Sequence, residues 1–201
     1  MKLLIEDNYF NDPDFLRSFA FSLGNYRVSN GLFFEDQNGE QDGWRGERSL
    51  PLKSYNNSLL NSCSNNILNV CYEYFNLKNF KTPYGNIIAK NLTITTYFHI
   101  TTEETKKSLV YFCQDKFHLD SKCLIAGVVY LSPNAPINAG TTILDAENNK
   151  MVNVENIYNR LVAYESYRIH GFSDTFGNSR EDGRLTFTFF IHEQKYSEYF
   201  D

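Results

Sequence analysis

Residues 118–131 read HLDSKCLIAGVVYL and join a polar pair directly to an apolar run. The run at 124–131 is far shorter than the roughly 20 residues needed to cross a bilayer, and its length is typical of a buried strand. His118 and Asp120 stand at i and i+2, so on an extended chain both side chains point the same way. The stretch predicts a strand that presents an imidazole and a carboxylate together.

The chain from about residue 86 onward has the texture of a β protein. Segments rich in Thr, Ile, Val, Tyr and Phe alternate with turn signals that contain Gly, Pro or Asn. The predicted strands are 91–100, 108–113, 124–131, 141–144, 160–169 and 184–192. Many short strands with no helix between them predict an antiparallel sandwich or barrel of jelly-roll type.

The first 85 residues have a different pattern, which predicts helices. Asp12-Pro13-Asp14 is a helix start, with Asp12 as N-cap and proline at the first helical position. Apolar residues recur every three or four positions across 58–77, which predicts a second helix. We therefore expect one domain over 1–201, mainly β with N-terminal helices (α+β), in which a helical and loop support region (1–85) packs on one sheet of a β core (86–201).

Composition excludes several classes of protein. The 201 residues include 19 basic and 24 acidic side chains, a net charge of −5, and no dense basic run, so nucleic acid is not expected as a partner. The four cysteines show no CxxC spacing, which disfavours a zinc site. No apolar stretch predicts a membrane span, and no secretory signal opens the chain, so a soluble cytoplasmic protein is expected.

A second histidine completes a candidate metal-binding set with His118 and Asp120. His170 ends the predicted strand 160–169, and if that strand lies opposite, two imidazoles and one carboxylate converge. This is the 2-His-1-carboxylate facial triad, which holds Fe(II) on one face and leaves the other positions open. His118, Asp120 and His170 are accordingly the candidate metal ligands and catalytic residues.

The order of elements around this triad resembles the 2-oxoglutarate- and Fe(II)-dependent oxygenases, in particular the prolyl 4-hydroxylase-like branch. The matching elements are His118-Leu119-Asp120, Tyr130-Leu131, Ala139-Gly140-Thr141-Thr142, His170 and Arg184-Leu185-Thr186. The resemblance implies a double-stranded β-helix (jelly-roll, cupin-like) core. It also implies hydroxylation of a C–H bond in a small molecule or peptidyl residue, with O2 and 2-oxoglutarate consumed, succinate and CO2 released, and ascorbate as a possible reductant. The opening residues 5–13 resemble small bacterial and phage members, which for a phage protein implies the host cytoplasm.

The same resemblance implies a co-substrate pocket. Arg184 matches the residue that pairs with the distal carboxylate of 2-oxoglutarate, a task suited to the guanidinium fork. Thr186, two residues on, shares its strand face. Tyr97 and Tyr130 are candidates for a hydroxyl near the co-substrate. Arg180 is the rival of Arg184 because it lies 10 rather than 14 positions after His170, but its loop is rich in glycine and polar residues.

Two other interpretations stay open at this point. One is a cupin-type metalloprotein with non-oxidative chemistry, although its usual His-x-His motif is missing here. The other is a non-catalytic jelly-roll binding module in which the triad residues are incidental. Among the remaining candidates, His99 and His192 are expected to be structural, Tyr111 is a further candidate hydroxyl, and Trp44, Arg45 and Arg48 form either a substrate lid or a plain surface loop.

Overall fold

The computed structural model describes residues 1–29, 46–82, 85–87, 91–105, 117–120 and 122–199. These residues form two α-helices, α1 (Pro13–Ser22) and α2 (Ser58–Phe75), and twelve β-strands. No helix of the described ranges is long and apolar enough to span a membrane. The predicted strand 108–113, with Tyr111, and the residues Trp44 and Arg45 lie outside the described residues.

The strands form two main antiparallel sheets and one small hairpin. In chain order they are β1 (Leu3–Glu6), β2 (Tyr26–Ser29), β3 (Gly46–Ser49), β4 (Phe80–Thr82), β5 (Gly85–Ile87), β6 (Leu92–Thr101), β7 (Ile125–Tyr130), β8 (Thr141–Asp145), β9 (Lys150–Val154), β10 (Leu161–Glu165), β11 (His170–Phe172) and β12 (Arg184–Glu193). The large sheet has the order β1-β10-β7-β12-β6-β3-β2, the small sheet has the order β11-β8-β9, and β4 pairs with β5. This is the double-stranded β-helix core that the sequence predicts.

Strand β12 shows why the two faces of the large sheet differ. Its side chains alternate, so Phe187 and Phe189 join the apolar core that also contains buried residues of α1 and α2. Arg184, Thr186 and Thr188 point the other way, into the space between the two sheets. The helices therefore cover one face of the large sheet, as predicted, and the opposite face carries these polar side chains beside a second apolar cluster.

Both helices begin where side-chain caps satisfy their first backbone N–H groups. The Asp12 carboxylate accepts from the N–H of Phe15 at 2.9 Å, as the Asp-Pro signal predicts. Asn57 caps α2 by accepting from Leu59 at 2.9 Å and Leu60 at 3.2 Å. These caps fix the ends of the two helices that support the large sheet.

The prediction of one strand over 160–169 is wrong in its second half. Strand β10 ends at Glu165, and the N–H of Arg168 donates to the carbonyl oxygen of Glu165 at 3.1 Å, which closes a turn. His170 therefore opens β11 in the small sheet rather than ending a strand of the large sheet. The turn matters for function because it moves the chain from one sheet to the other just before His170.

The strands β1, β2, β3 and β9 are not predicted by the hydrophobic pattern. The first three come from the N-terminal region and extend the large sheet at its two edges. Strand β9 forms a hairpin with β8 through a turn in which Asn149 has a φ of 48°. The division of the chain at residue 85 stays a prediction.

Candidate metal centre

Backbone pairing brings His118 and His170 together. The N–H of His118 donates to the carbonyl oxygen of His170 at 2.9 Å, and the N–H of His170 donates back to that of His118 at 3.0 Å. Directly opposed residues of an antiparallel pair project their side chains to the same face. The centroids of the two imidazole rings consequently lie 4.5 Å apart.

Asp120 completes a cluster of three metal-binding side chains. Its Oδ1 atom lies 3.6 Å from Nε2 of His118, and its Oδ2 atom lies 3.1 Å from Nε2 of His170. The candidate ligand atoms of the three residues all lie within 4.8 Å of one another. The side chain of His170 is 5% exposed and that of His118 is 49% exposed, so the cluster opens to solvent on the His118 side. The three residues singled out from the sequence are thus neighbours in space.

Two contacts orient the ring of His170. Its Nδ1–H donates to the carbonyl oxygen of Arg168 at 2.8 Å, and because a carbonyl oxygen only accepts, Nε2 is the nitrogen left for a metal. The ring of Tyr164 packs against it with a centroid distance of 4.6 Å. The imidazole is therefore held in one orientation with Nε2 toward Asp120.

The three side chains perturb one another's titration. Burial raises the pKa of the Asp120 carboxyl, but the charge and hydrogen bond of His170 outweigh burial and leave this pKa lowered. The charges of His118 and Arg48 act in the same direction. Burial lowers the pKa of His170, but Asp120 and the Arg168 carbonyl overcome this effect and leave it raised. Each of these two groups therefore stabilises the charged form of the other.

Arg184 lies buried in the interior between the two sheets. Its Nε donates to the carbonyl oxygen of Ala139 at 3.1 Å, and its Nη2 donates to the carbonyl oxygen of Gly140 at 3.3 Å and to Oγ1 of Thr141 at 3.5 Å. Its Cζ lies 5.4 Å from the centroid of the Tyr130 ring. Within the described part of the chain, Arg184 forms no ion pair with a carboxylate, and burial lowers the pKa of its guanidinium. A buried cation in such surroundings is suited to an anionic ligand.

The carbonyl groups that face Arg184 depend on a close backbone approach. A Cβ atom at Gly140 would lie 1.8 Å from the carbonyl oxygen of Val154, so only glycine fits this turn. Ala139 stands where the resembling family has a further glycine, and its N–H donates to the carbonyl oxygen of Pro136 at 2.9 Å. The turn before β8 thereby presents two carbonyl oxygens to one guanidinium.

Tyr130 and Thr186 lie beside Arg184. They face each other across β7 and β12 in the sheet register. The Tyr130 hydroxyl donates to Oγ1 of Thr141 at 2.8 Å, and Oγ1 of Thr186 lies 2.9 Å from that of Thr188. These hydroxyl groups line the same interior as the guanidinium.

Tyr97 faces the interior from β6, opposite Thr188 rather than opposite Arg184. Its ring packs edge-on against Phe190 with a centroid distance of 6.1 Å. The guanidinium of Arg48 lies over the Tyr97 ring at 5.0 Å and is electrostatically coupled to Asp120. Of the early-loop residues, Arg48 therefore reaches the neighbourhood of the metal cluster from β3.

Two other candidates from the sequence are engaged elsewhere. Arg180 forms an ion pair with Glu47, and its Cζ lies 4.9 Å from the centroid of the Tyr26 ring. His192 is buried, and its Nε2 lies 2.9 Å from Oγ1 of Thr95. Both side chains have contacts that fit a structural role.

Sequence reasoning missed three residues that line the interior. Thr188 shares a strand face with Arg184, and strict alternation from that residue was enough to find it. Thr141 contacts both Arg184 and Tyr130 as the first residue of β8, and alternation along so short a strand does not decide which of its two faces points inward. Tyr164 contacts His170 and interacts electrostatically with both Asp120 and Arg184, and nothing in the sequence distinguishes it from other buried aromatics.

Solved structures with a similar fold include two prolyl hydroxylases and HygX, the latter with iron bound or with nickel and 2-oxoglutarate bound. A prolyl hydroxylase from Trichoplax adhaerens, in complex with a peptide fragment of a hypoxia-inducible factor, shares 14% identity at a TM-score of 0.56, with coverage of 100% of this chain and 87% of that chain. The fold is that of the 2-oxoglutarate oxygenases. HygX from Streptomyces hygroscopicus, with nickel and 2-oxoglutarate bound, gives 10% identity and a TM-score of 0.56 over 96% of this chain and 83% of that chain. A Pseudomonas putida prolyl-4-hydroxylase shares 10% identity at a TM-score of 0.50, with coverage of 96% of this chain and 93% of that chain.

These likenesses are structural. No protein-family model and no curated protein sequence matches the chain. The resemblance drawn from the motifs is confirmed at the level of the fold.

Proposed function

We propose that this protein is an Fe(II)- and 2-oxoglutarate-dependent dioxygenase that hydroxylates a C–H bond of a small molecule or a peptidyl residue. The observation that carries the proposal is the convergence of His118, Asp120 and His170 in the same interior that contains the buried Arg184. Tyr164 links the two, because its ring contacts His170 and it interacts electrostatically with Arg184.

The donor set of the cluster fits iron. Two imidazole nitrogens and one carboxylate oxygen are the ligands of the facial triad, which leaves positions open for a bidentate co-substrate and for oxygen. The hydrogen bond from Nδ1 of His170 to the Arg168 carbonyl supports a ligand role for Nε2. We therefore assign His118, Asp120 and His170 as metal ligands.

The surroundings of Arg184 fit the distal carboxylate of 2-oxoglutarate. The guanidinium is buried, forms no ion pair with any described carboxylate, and has hydroxyl groups of Tyr130 and Thr186 nearby. A carboxylate here would receive charge-assisted hydrogen bonds and would provide the missing counter-charge. We assign Arg184, Thr186 and Tyr130 to this pocket, and Tyr97, which faces the same interior from β6, to its lining.

When bound, iron and 2-oxoglutarate would supply the oxidation, in which decarboxylation to succinate and CO2 is coupled to transfer of one oxygen atom of O2 into a C–H bond. The protein side chains would bind the metal and the co-substrate and orient them. Asp120 and the two histidines would hold the metal, and Arg184 would bind the distal carboxylate of 2-oxoglutarate. The buried rings of Tyr164 and Phe190 would exclude water. A role for ascorbate and the cytoplasmic location stay predictions.

The class of substrate has two candidates. The Trichoplax adhaerens neighbour binds a peptide, and the open side of the cluster next to the exposed His118 side chain offers room for a chain to approach. A small-molecule substrate would use the same opening. Succinate release, measured with peptide pools and metabolite pools in turn, separates these candidates.

An anaerobic absorbance titration tests the proposal. Fe(II) plus 2-oxoglutarate should give a visible charge-transfer band that needs both components, and His118→Ala should abolish it. The fold of this variant should survive because the His118 side chain is half exposed. Metal binding without any response to 2-oxoglutarate would favour a cupin-type metalloprotein instead. Absence of both responses in the wild-type protein would favour a non-catalytic binding module.

A further inference from the structure

One turn contacts both of the chain segments that carry the proposed metal ligands, 117–120 and β11. This turn, residues 166–169, connects β10 to β11. The carbonyl oxygen of Ser166 accepts from the N–H of Asp120 at 3.2 Å. The carbonyl oxygen of Arg168 accepts from Nδ1 of His170 at 2.8 Å. The placement of Asp120 and the orientation of His170 therefore both depend on the path of these four residues.

A buried ion pair closes the same turn. The guanidinium of Arg168 donates to Oε2 of Glu165 at 2.6 Å, and the two side chains are only 8% and 9% exposed. The backbone adds a hydrogen bond of 3.1 Å between the N–H of Arg168 and the carbonyl oxygen of Glu165. Glu165 and Arg168 are thus joined both by their side chains and by their backbone.

The ion pair does not contact the metal cluster directly. Along β10, Ala163 belongs to the core on the helix side of the large sheet, whereas Tyr164 faces the metal cluster. Alternation places Glu165 on the same side as Ala163. Arg168 also reaches Glu147 of the β8–β9 hairpin at 3.2 Å, so its side chain is held from two directions. Any influence on the ligands must pass through the backbone of the turn.

We propose that Glu165 and Arg168 are positioning residues of the metal centre. The proposal rests on the function proposed above. The ion pair holds the turn so that the Arg168 carbonyl fixes the tautomer and ring angle of His170, while the Ser166 carbonyl fixes Asp120. Outer partners of metal-binding histidines have this effect in other metal sites.

The competing explanation is that the pair contributes only to stability. A buried ion pair is often replaced by apolar residues without loss of stability, whereas removal of one partner alone is costly. The double variant Glu165→Gln/Arg168→Met removes the pair and leaves no buried unpaired charge. Stability and metal geometry can therefore be separated by comparing the single and double variants.

The experiment measures Co(II) binding, as a spectroscopic stand-in for Fe(II), in the wild type, Glu165→Gln, Arg168→Met and the double variant. We expect Co(II) to bind about 10- to 100-fold more weakly to Arg168→Met and to the double variant, with an altered visible d–d spectrum. Glu165→Gln should show a smaller loss of Co(II) affinity, because Arg168 keeps its ion pair with Glu147. The double variant should unfold closer to the wild type than Arg168→Met does, while its metal affinity stays low.

A matched control and a metal-free readout complete the test. Arg160→Met removes an ion pair with Asp7 at the opposite end of β10 and should leave Co(II) binding unchanged. Nitrogen NMR of the metal-free protein, at a pH high enough for His170 to be neutral, should show its Nδ1–H tautomer in the wild type and a mixture of tautomers in the double variant. Wild-type affinity and an unchanged His170 signal in the double variant would overturn the positioning role. Failure of the wild type to bind Co(II) would instead overturn the proposed function, and the NMR comparison would still decide the positioning role.

Discussion

The Oδ2 atom of Asp120 lies 3.1 Å from Nε2 of His170, although 50 positions of the chain separate the two residues. Asp120 precedes β7 of the large sheet and His170 opens β11 of the small sheet, so the contact joins the segment before β7 to the small sheet. When His170 is protonated, this contact is an ion pair. A metal ion would take the place of the proton on His170, which makes the protonation of this histidine a measurable competitor of metal binding.

Stability should therefore depend on pH in opposite ways with and without metal. Because the pKa of His170 is raised in the folded metal-free protein, its ion pair with Asp120 contributes fully below the unfolded value of about 6.5 and is lost as the pH rises through the folded value. As the pH rises from about 6.5 through the raised folded value, the metal-free Tm should lose this contribution, while the Co(II)-loaded Tm should rise because protons no longer compete. Differential scanning fluorimetry measures both curves. Asp120→Asn is the control, since it should remove this part of the metal-free slope. Identical slopes in the wild type and Asp120→Asn would contradict the prediction.

The core between the large sheet and the helices should carry much of the stability. Phe187 is fully buried, and its ring packs edge-on against Phe98 at 5.7 Å and Phe10 at 5.4 Å. Phe187→Ala should cost about 3–5 kcal/mol in the free energy of unfolding, because the transfer term and the cavity term add. Phe15→Ala is the matched control, because Phe15 is 39% exposed and should cost about 1 kcal/mol or less. Urea denaturation measures both, and equal losses would contradict this placement of the core.

Much of the fold could be predicted from local patterns. The helix α1 begins where Asp12 and Pro13 predict, and β6, β7, β8 and β12 lie within one or two residues of the predicted strands. These elements have strong periodicity or caps, which depend on near neighbours in the chain. Strands β1 to β3 could not be predicted this way, because short edge strands with mixed polarity are stabilised mainly by pairing with distant partners.

The candidate site likewise has features that local sequence predicts and features that depend on tertiary contacts. Spacing alone placed His118 and Asp120 on one side of an extended segment, and motif order related them to His170 and Arg184. The sequence predicts a strand instead of the turn at 166–169, because these residues include no glycine or proline and the turn is closed by the buried pair Glu165–Arg168. The contribution of Tyr164 follows from tertiary contacts that no periodicity encodes.

Loss of the carboxylate should disable the metal site while sparing the fold. Asp120→Ala leaves two imidazoles without the acidic ligand, so we expect Co(II) affinity to fall by more than about 100-fold, beyond the usual loss for an outer partner. Isothermal titration calorimetry with Co(II) measures the loss. Far-ultraviolet circular dichroism should be unchanged, because the Asp120 side chain lies at the cluster rather than in the apolar core. Retention of affinity within a few-fold would show that another group binds the metal.

Substitutions of Arg184 and Arg180 should differ in their effect on the affinity for 2-oxoglutarate. Arg184→Met removes a buried guanidinium, so the apparent affinity for 2-oxoglutarate should fall by about 2–4 kcal/mol, or roughly 30- to 1,000-fold. Co(II) affinity should stay near that of the wild type, because Arg184 contacts the turn at 139–141 rather than the triad.

Arg180→Met is the matched control for this experiment. Its guanidinium is already engaged by Glu47 and by the Tyr26 ring, so its loss should leave the 2-oxoglutarate requirement unchanged. The measurement is the dependence of the anaerobic charge-transfer band on 2-oxoglutarate concentration, with iron held constant. A large loss from Arg180→Met together with none from Arg184→Met would reverse the assignment. In that case the buried guanidinium of Arg184 would serve only to hold the carbonyl groups of Ala139 and Gly140 in place.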